Sequence, residues 1–352
     1  MSGKETPIGT MRIGKDLCAY VKTKNSWKKA KRDFPEAYNA IKLFKAHGNF
    51  KELIDNKNPK FLKGQLSPDE LIQGARINIL PNGEKLDKAY SIFAKNLTFH
   101  DESSHDHWDV IYQNPNGQFA YVYSLKKRKS AIKNKYKKVK LFEEKYPQLQ
   151  RKVLKALEDR EDIYAVPMYT LLKTYMRVGN ELHYKENGHK GLTTLKKRDI
   201  SINGSTVHFN YLAKSGVPMK ITQEFPHIYV QRLKEMMSHA NQSDFIFTNS
   251  QKIPLKDTAF MDAFEDYCGE KFYPHIVRSY YATKKAEEFL ACHKQATKAD
   301  LKELFTSVAE KLGHKRFDKK QNEWKSSYNV TIHHYLNPEV LEKLNELTTK
   351  NK

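Results

Sequence analysis

With 352 residues, the chain suits two domains, or one large domain with an arm, and is long enough for a substantial core. Hydrophobic residues at 39% and charged residues at 29% exclude a disordered chain, while Lys and Arg outnumber Asp and Glu 62 to 41, a formal charge of +21. Such an excess points to a polyanionic partner, because neutralised phosphates supply most non-specific DNA affinity. Cys18, Cys268 and Cys292 are too few and too scattered for a disulfide framework or a zinc site. No run of roughly 18 apolar residues is present to span a membrane. The opening Met-Ser-Gly-Lys-Glu-Thr-Pro has no signal-peptide core, so an intracellular, reducing compartment is expected.

In chain order, Ala37, Ile41, Leu43 and Phe44 recur at roughly helical spacing and predict a helix within Pro35 to Phe50, after a basic stretch at Trp27 to Arg32. Gly64 to Pro81 predicts a polar loop, a short helix from Pro68 and an apolar run from Ile77 to Leu80. His100 to His107 gathers histidines and acids at a spacing that fits no standard zinc arrangement, so a solvated loop is expected and no metal. Two aromatic-apolar runs, Trp108 to Tyr112 and Phe119 to Tyr123, flank Asn114-Pro115-Asn116-Gly117, which is a strong hairpin signal. The intensely basic stretch from Lys126 to Lys140 follows and reads as a hinge that tracks a phosphate backbone. The domain boundary is placed there, giving domains 1–135 and 136–352.

Beyond it the pattern is mainly helical. Leu141, Phe142, Tyr146, Leu149, Val153 and Leu157 mark one helix face, and Ile163, Val166, Leu171, Leu172 and Tyr175 another. Ile200 to Ile202, an Asn203-Gly204 turn, then alternating Val207, Phe209 and Tyr211 predict strands, with a second tight turn at Ala213 to Gly216 before Val217 to Ile221. Helices are predicted at about 225–239, 257–268, 276–292 and 299–312, with a last one from Pro338, a favoured first helical position.

The stretch from Tyr175 to Leu195 is the most specific in the chain. Its Arg177-Val178-Gly179-Asn180 block, Tyr184, Asn187 and Gly191-Leu192-Thr193-Thr194-Leu195 resemble the signature of type IB DNA topoisomerases of the small, poxvirus-like and bacterial kind. Four further motifs follow in the family's order. They are Ala213-Lys214-Ser215-Gly216, with alanine where glycine is usual, His275-x-x-Arg278, Leu312-Gly313-His314, and Tyr335-Leu336-Asn337-Pro338-Glu339-Val340-Leu341.

The resemblance implies roles for these residues. Arg177 and Arg278 would grip the scissile phosphate, since a guanidinium fork can bind two phosphate oxygens at once. Lys214 would protonate the leaving 5′-oxygen. Tyr335 would be the nucleophile, with Tyr328 its rival. His275 stands where the small topoisomerases have lysine, and its spacing from Arg278 is that of the related tyrosine recombinases. His314 would bind the phosphate, although Lys315 to Ser326 is inserted before Tyr335. Either that segment loops out, or Ser326, Asn329 or His333 takes the role. DNA contacts are expected from Lys126, Arg128, Lys137 and Lys138 of the basic run, and from Asn180, Thr193 and Ser215 within the motifs.

The implied fold is α+β, a two-lobed, C-shaped DNA clamp. Its N-terminal domain contains β-structure and a DNA-contacting hairpin, and its catalytic domain is mainly helical with a small antiparallel sheet. The implied activity is relaxation of supercoiled double-stranded DNA through a 3′-phosphotyrosyl intermediate, by a monomer, with no cofactor, metal or ATP. A tyrosine site-specific recombinase is the second reading, and a non-catalytic architectural DNA-binding protein the third.

Overall fold

A computed structural model describes residues 6–74, 76–100 and 108–349, so the His100 to His107 stretch lies, from residue 101 on, outside the described residues. The chain divides into two compact units, Met1–Asn134 and Lys135–Lys352. Both mix helices with small antiparallel sheets, an α+β protein.

The first unit is built from short strands. β1 (Met11–Ile13), β2 (Ala19–Lys22) and β3 (Trp27–Lys29) are followed by helix α1 (Pro35–Ala46), then β4 (Gln65–Leu66) and β5 (Ile72–Gln73). The five strands form one sheet in the order β3-β2-β1-β4-β5. β6 (Ile77–Ile79) pairs with β7 (Lys85–Tyr90), and β8 (Lys95–Phe99), β9 (Val110–Gln113) and β10 (Phe119–Val122) make a third sheet. Pro35 opens α1, which buries Ala37, Ala40, Ile41 and Phe44, one face at helical spacing. They pack with Ile13, Leu53, Ile77 and Val110. No helix starts at Pro68. The Ser67 hydroxyl accepts the Leu71 N–H at 3.0 Å, and Glu70 takes φ +60°, which makes a turn between β4 and β5. The β9–β10 hairpin forms with Phe119 opposite Gln113, and it leaves Phe119 and Tyr121 exposed.

The basic stretch is helix rather than an irregular hinge. α2 runs from Leu125 to Ala156, and the unit boundary falls inside it. It buries Val139, Phe142, Leu149 and Val153, while Lys126, Lys137, Lys138 and Lys140 stay in solvent. A run free of glycine and rich in Lys and Leu favours helix intrinsically.

In the second unit, α3 (Ala165–Thr174) is buried on nearly every side, as expected of a core helix. α4 (Glu181–Asn187) leads to the sheet β11 (Ile200–Asn203), β12 (Thr206–Leu212) and β13 (Pro218–Glu224), whose first turn places Gly204 at φ +58°. α5 (His227–Ser238), α6 (Asp257–Cys268), α7 (Ile276–Cys292) and α8 (Lys298–Lys311) follow. The inserted segment leaves the chain path as an ordered hairpin rather than an irregular loop. Lys315–Asp318 and Glu323–Ser326 pair as a hairpin, β14 and β15, before α9 (Asn329–His334) and α10 (Pro338–Thr349). Phe142, Leu171, Leu172, Tyr229, Phe264 and Phe272 belong to the main core. Among the described residues, no helix is long and apolar enough to cross a membrane.

Candidate active site

The Arg177 loop is shaped by what its glycines lack. α3 ends where Tyr175 turns left-handed, at φ +57°, and the chain runs out past Arg177 to Gly179. A second backbone segment, Gly191 to Thr194, lies against it. A Cβ on Gly191 would sit 2.6 Å from the Arg177 carbonyl oxygen and 2.8 Å from the Gly179 nitrogen. A Cβ on Gly179 would sit 2.8 Å from the Thr194 nitrogen. Only glycine allows that approach. The Leu192 N–H donates to the Arg177 carbonyl at 2.8 Å, which pins the backbone that carries the guanidinium. Thr193 departs from the expectation of a DNA contact, being fully buried with its hydroxyl 3.4 Å from the Gly179 carbonyl. Asn180 is exposed and caps α4, its side chain accepting the His183 N–H at 3.1 Å.

His275 is the residue just before α7, and Arg278 lies in its first turn. Arg278 is 3% exposed; it donates to the Tyr175 carbonyl at 2.5 Å and to the Leu312 carbonyl at 2.8 Å, and stands 3.0 Å from His314 Nε2. Its Nε is buried without a partner among the described residues, a donor still to be satisfied.

Tyr335 joins these groups. Its residue is 3% exposed, and its hydroxyl oxygen accepts from Arg177 Nη2 at 2.9 Å. The same hydroxyl lies 2.6 Å from His275 Nε2. Arg278 stands 5.1 Å from the Tyr335 ring centroid, and the His314 ring 4.8 Å. The hairpin explains how His314 keeps its place across the insertion. Antiparallel pairing returns the chain to its starting point, so that the Ser327 N–H donates to the His314 carbonyl at 2.9 Å. Thr331, buried in α9, then places its hydroxyl 2.8 Å from His314 Nδ1. A hydroxyl can donate or accept, so either tautomer of His314 is satisfied there.

Burial, with the Arg278 and Arg177 charges added, pushes both His275 and His314 down to about 3. Both rings are therefore neutral at neutral pH, and in the tautomer that leaves Nε2 bare His275 can accept a hydrogen bond from the Tyr335 hydroxyl. The same shifts couple stability to pH. An unfolded histidine takes its proton near 6.5, while these two do not until about 3. Between those values the unfolded chain binds more protons, so stability is full above pH 6.5 and falls as pH drops through the window. Urea midpoints should fall between pH 7 and pH 5, and less steeply for His314→Gln than for the native chain. An unchanged slope in that variant would remove His314 from the linkage.

Lys214 does not join the buried cluster. It is exposed at the start of the tight turn between β12 and β13, where Ser215 and Gly216 take φ +64° and +73°. It lines, with Arg177, two neighbouring cavities of about 470 and 460 Å³. One also holds Ser215 and His275, the other Arg278 and His314. Of the basic-run candidates, Lys126, Lys137 and Lys138 are exposed, whereas Arg128 is engaged with Asp87 at 2.6 Å.

Two residues at the cluster belong to no motif. Lys135 Nζ lies 5.5 Å from the Tyr335 ring centroid and donates to the His334 carbonyl, and the Tyr136 hydroxyl donates to the Leu336 carbonyl at 2.6 Å. A signal existed: Lys135 is in helical phase with the buried Val139 and Phe142, so it points inward. Among the described residues, no group of three or more His, Cys, Asp or Glu could hold a metal ion.

Residues 124–338 match the family model for the catalytic core of eukaryotic DNA topoisomerase I. Solved structures that resemble the chain include the XerH site-specific recombinase bound to palindromic difH substrate, a post-cleavage complex. It has 15% identity over 56% of this chain and 51% of that one, with a TM-score of 0.34. XerA recombinase has 16% identity over 58% of this chain and 62% of that one, with a TM-score of 0.35. The chain thus spans less than two thirds of either recombinase's length. No curated protein matches it.

Proposed function

The chain belongs to the family of eukaryotic DNA topoisomerase I catalytic cores, and from that premise we propose that it is a type IB DNA topoisomerase of the small, poxvirus-like and bacterial kind. The observation that carries this reading is the Tyr335 hydroxyl, held by Arg177 and His275 beside Arg278 and His314.

Tyr335 attacks the scissile phosphorus, and its proton passes to His275 Nε2 across the 2.6 Å contact once the negative phosphodiester, seated between Arg177 and Arg278, offsets the charges that keep the free ring from protonating. The new bond joins the tyrosine oxygen to the 3′-phosphate as the bond to the 5′-oxygen breaks, and Lys214 gives that oxygen a proton. Arg177, Arg278 and His314 stabilise the charge that builds on the non-bridging oxygens. The phosphotyrosyl ester conserves the broken bond's energy, so the freed 5′ end can rotate and then religate without a nucleotide. These side chains handle every proton and charge themselves, which is why no cofactor is assigned.

The partner is double-stranded DNA within the cell, bound by a monomer. Residues 1–135 hold the duplex, with the exposed Phe119 and Tyr121 of the β9–β10 hairpin and Lys126 of α2 as contacts. On the catalytic domain the proposed contacts are Lys137, Lys138, Asn180 and Ser215. Incubation with positively and with negatively supercoiled plasmid, in EDTA without ATP, should relax both. The rate should fall steeply with salt, because each neutralised phosphate releases counterions. A strict need for Mg²⁺ or ATP would refute the reading. The His275-x-x-Arg278 spacing favours a site-specific recombinase as the second reading. Exchange of strands between two duplexes, without relaxation, would establish that instead.

A further inference from the structure

We propose that Lys135 and Tyr136, consecutive on α2, are positioning residues that seat the nucleophile by holding the backbone carbonyls on either side of it. This rests on the reading of Tyr335 as nucleophile. Tyr335 lies between the short helix α9 and Pro338, which opens α10. A six-residue helix has little stability of its own, and its last carbonyls have no partner within it. The local amide contacts come from one side. The Tyr335 and Leu336 N–H groups both donate to the Thr331 carbonyl, at 3.0 and 3.1 Å. The outward carbonyls are taken by a different element. Lys135 Nζ donates to that of His334, and Tyr136 Oη donates to that of Leu336 at 2.6 Å.

The ring between those carbonyls is thereby fixed in direction, and its hydroxyl meets Arg177 and His275 without further ordering. Lys135 adds a charge 5.5 Å from the ring centroid, a cation–π contact that fixes the ring's face as well. Its amine is largely out of water, and burial pushes it down to about 8. A lysine whose work was to meet a phosphate at the surface would not be desolvated against a carbonyl. The neighbouring Lys137 and Lys138 are exposed and make no comparable contact among the described residues.

A misplacement of about 1 Å can lower a rate by about a hundredfold. The test is single-turnover cleavage of a nicked duplex by the full chain at saturating DNA, alongside equilibrium DNA binding. Lys135→Met should cleave about tenfold to a hundredfold more slowly, with affinity unchanged. Lys135→Arg, which keeps both charge and donor, should recover most of that loss. Tyr136→Phe removes one oxygen, keeps the packing, and should slow cleavage by several-fold to about tenfold. Full-rate cleavage by both Lys135→Met and Tyr136→Phe would overturn the proposal. So would a Lys135→Met loss confined to affinity, which would make Lys135 a phosphate contact. Failure of the native chain to form any adduct would instead strike at Tyr335 itself.

Discussion

Tyr335→Phe should bind DNA like the native chain and form no covalent adduct. Losing a nucleophile outright typically costs about 10⁶ in rate, so the variant should show no cleavage above background. The change removes one oxygen from a ring packed with Ala282, Val308 and Leu312, and leaves that packing intact. Arg177 and His275 lose their shared partner but remain on rigid supports, the glycine-pinned loop and the start of α7. Most of the affinity for DNA is expected from the exposed lysines of α2, such as Lys126, Lys137 and Lys138, which the substitution does not touch. Tyr328 provides the contrast. It precedes α9, and its ring stands 6.1 Å from that of Phe305, in the satellite core under α8 and α10. Tyr328→Phe should therefore cleave normally. The check is a detergent-trapped adduct with end-labelled duplex, run on both variants. An adduct with Tyr335→Phe, or its loss with Tyr328→Phe, would move the nucleophile.

How much of this could be read from the residues depends on the range of the forces involved. The helices Asp257–Cys268 and Ile276–Cys292 follow from local periodicity, and Gly269, at φ +79°, ends the first as a left-handed cap. The Asn203-Gly204 turn announces β11 and β12 in the same local way. The five-stranded sheet of the first unit does not, because its strands are two to four residues long and are fixed by pairing with distant segments. The stretch at Pro68 forms a turn instead of the expected helix. The Ser67 hydroxyl caps a single turn, and Glu70 then swings out to a paired contact with Arg32 at 2.6 and 2.7 Å.

The cluster around Tyr335 divides along the same line. Its arginines, histidines and tyrosine stand in motifs whose order is legible. The supports that aim them are not, since they are made of backbone carbonyls and of side chains far away in the chain. Lys135 is hidden among lysines that face water, and only its phase with Val139 and Phe142 sets it apart. The segment from Lys315 to Ser326 is dense in charge and so resembles a solvated loop. Phe317 and Trp324 were the clue to a hairpin: they are cross-strand partners with ring centroids 5.3 Å apart.

Lys214→Ala should lose about 10²–10⁴ in the cleavage rate, the range for a general acid, and a sulfur in place of the bridging 5′-oxygen should restore it. The expectation follows from what the buried cluster leaves undone. Arg177 and His275 are already engaged at the attacking oxygen, and Arg278 and His314 are turned toward the Tyr335 ring. None of them is committed to the leaving group, which must depart on the side of the phosphorus opposite the nucleophile. Lys214 is the cation expected to serve there. It is exposed at the tip of a turn, lines both cavities with Arg177, and makes no ion pair or side-chain hydrogen bond among the described residues. The turn itself is firm, since the Ala213 N–H donates to the Val217 carbonyl at 2.8 Å, so the amine swings from a fixed base. An alkoxide leaves poorly without a proton, whereas a thiolate needs none. Rescue by sulfur therefore isolates proton donation from phosphate binding. Single-turnover cleavage of matched oxygen and sulfur substrates by native protein and by Lys214→Ala gives the ratio directly. Equal loss on both would make Lys214 a phosphate contact and leave the leaving group's acid to be found elsewhere along the rim.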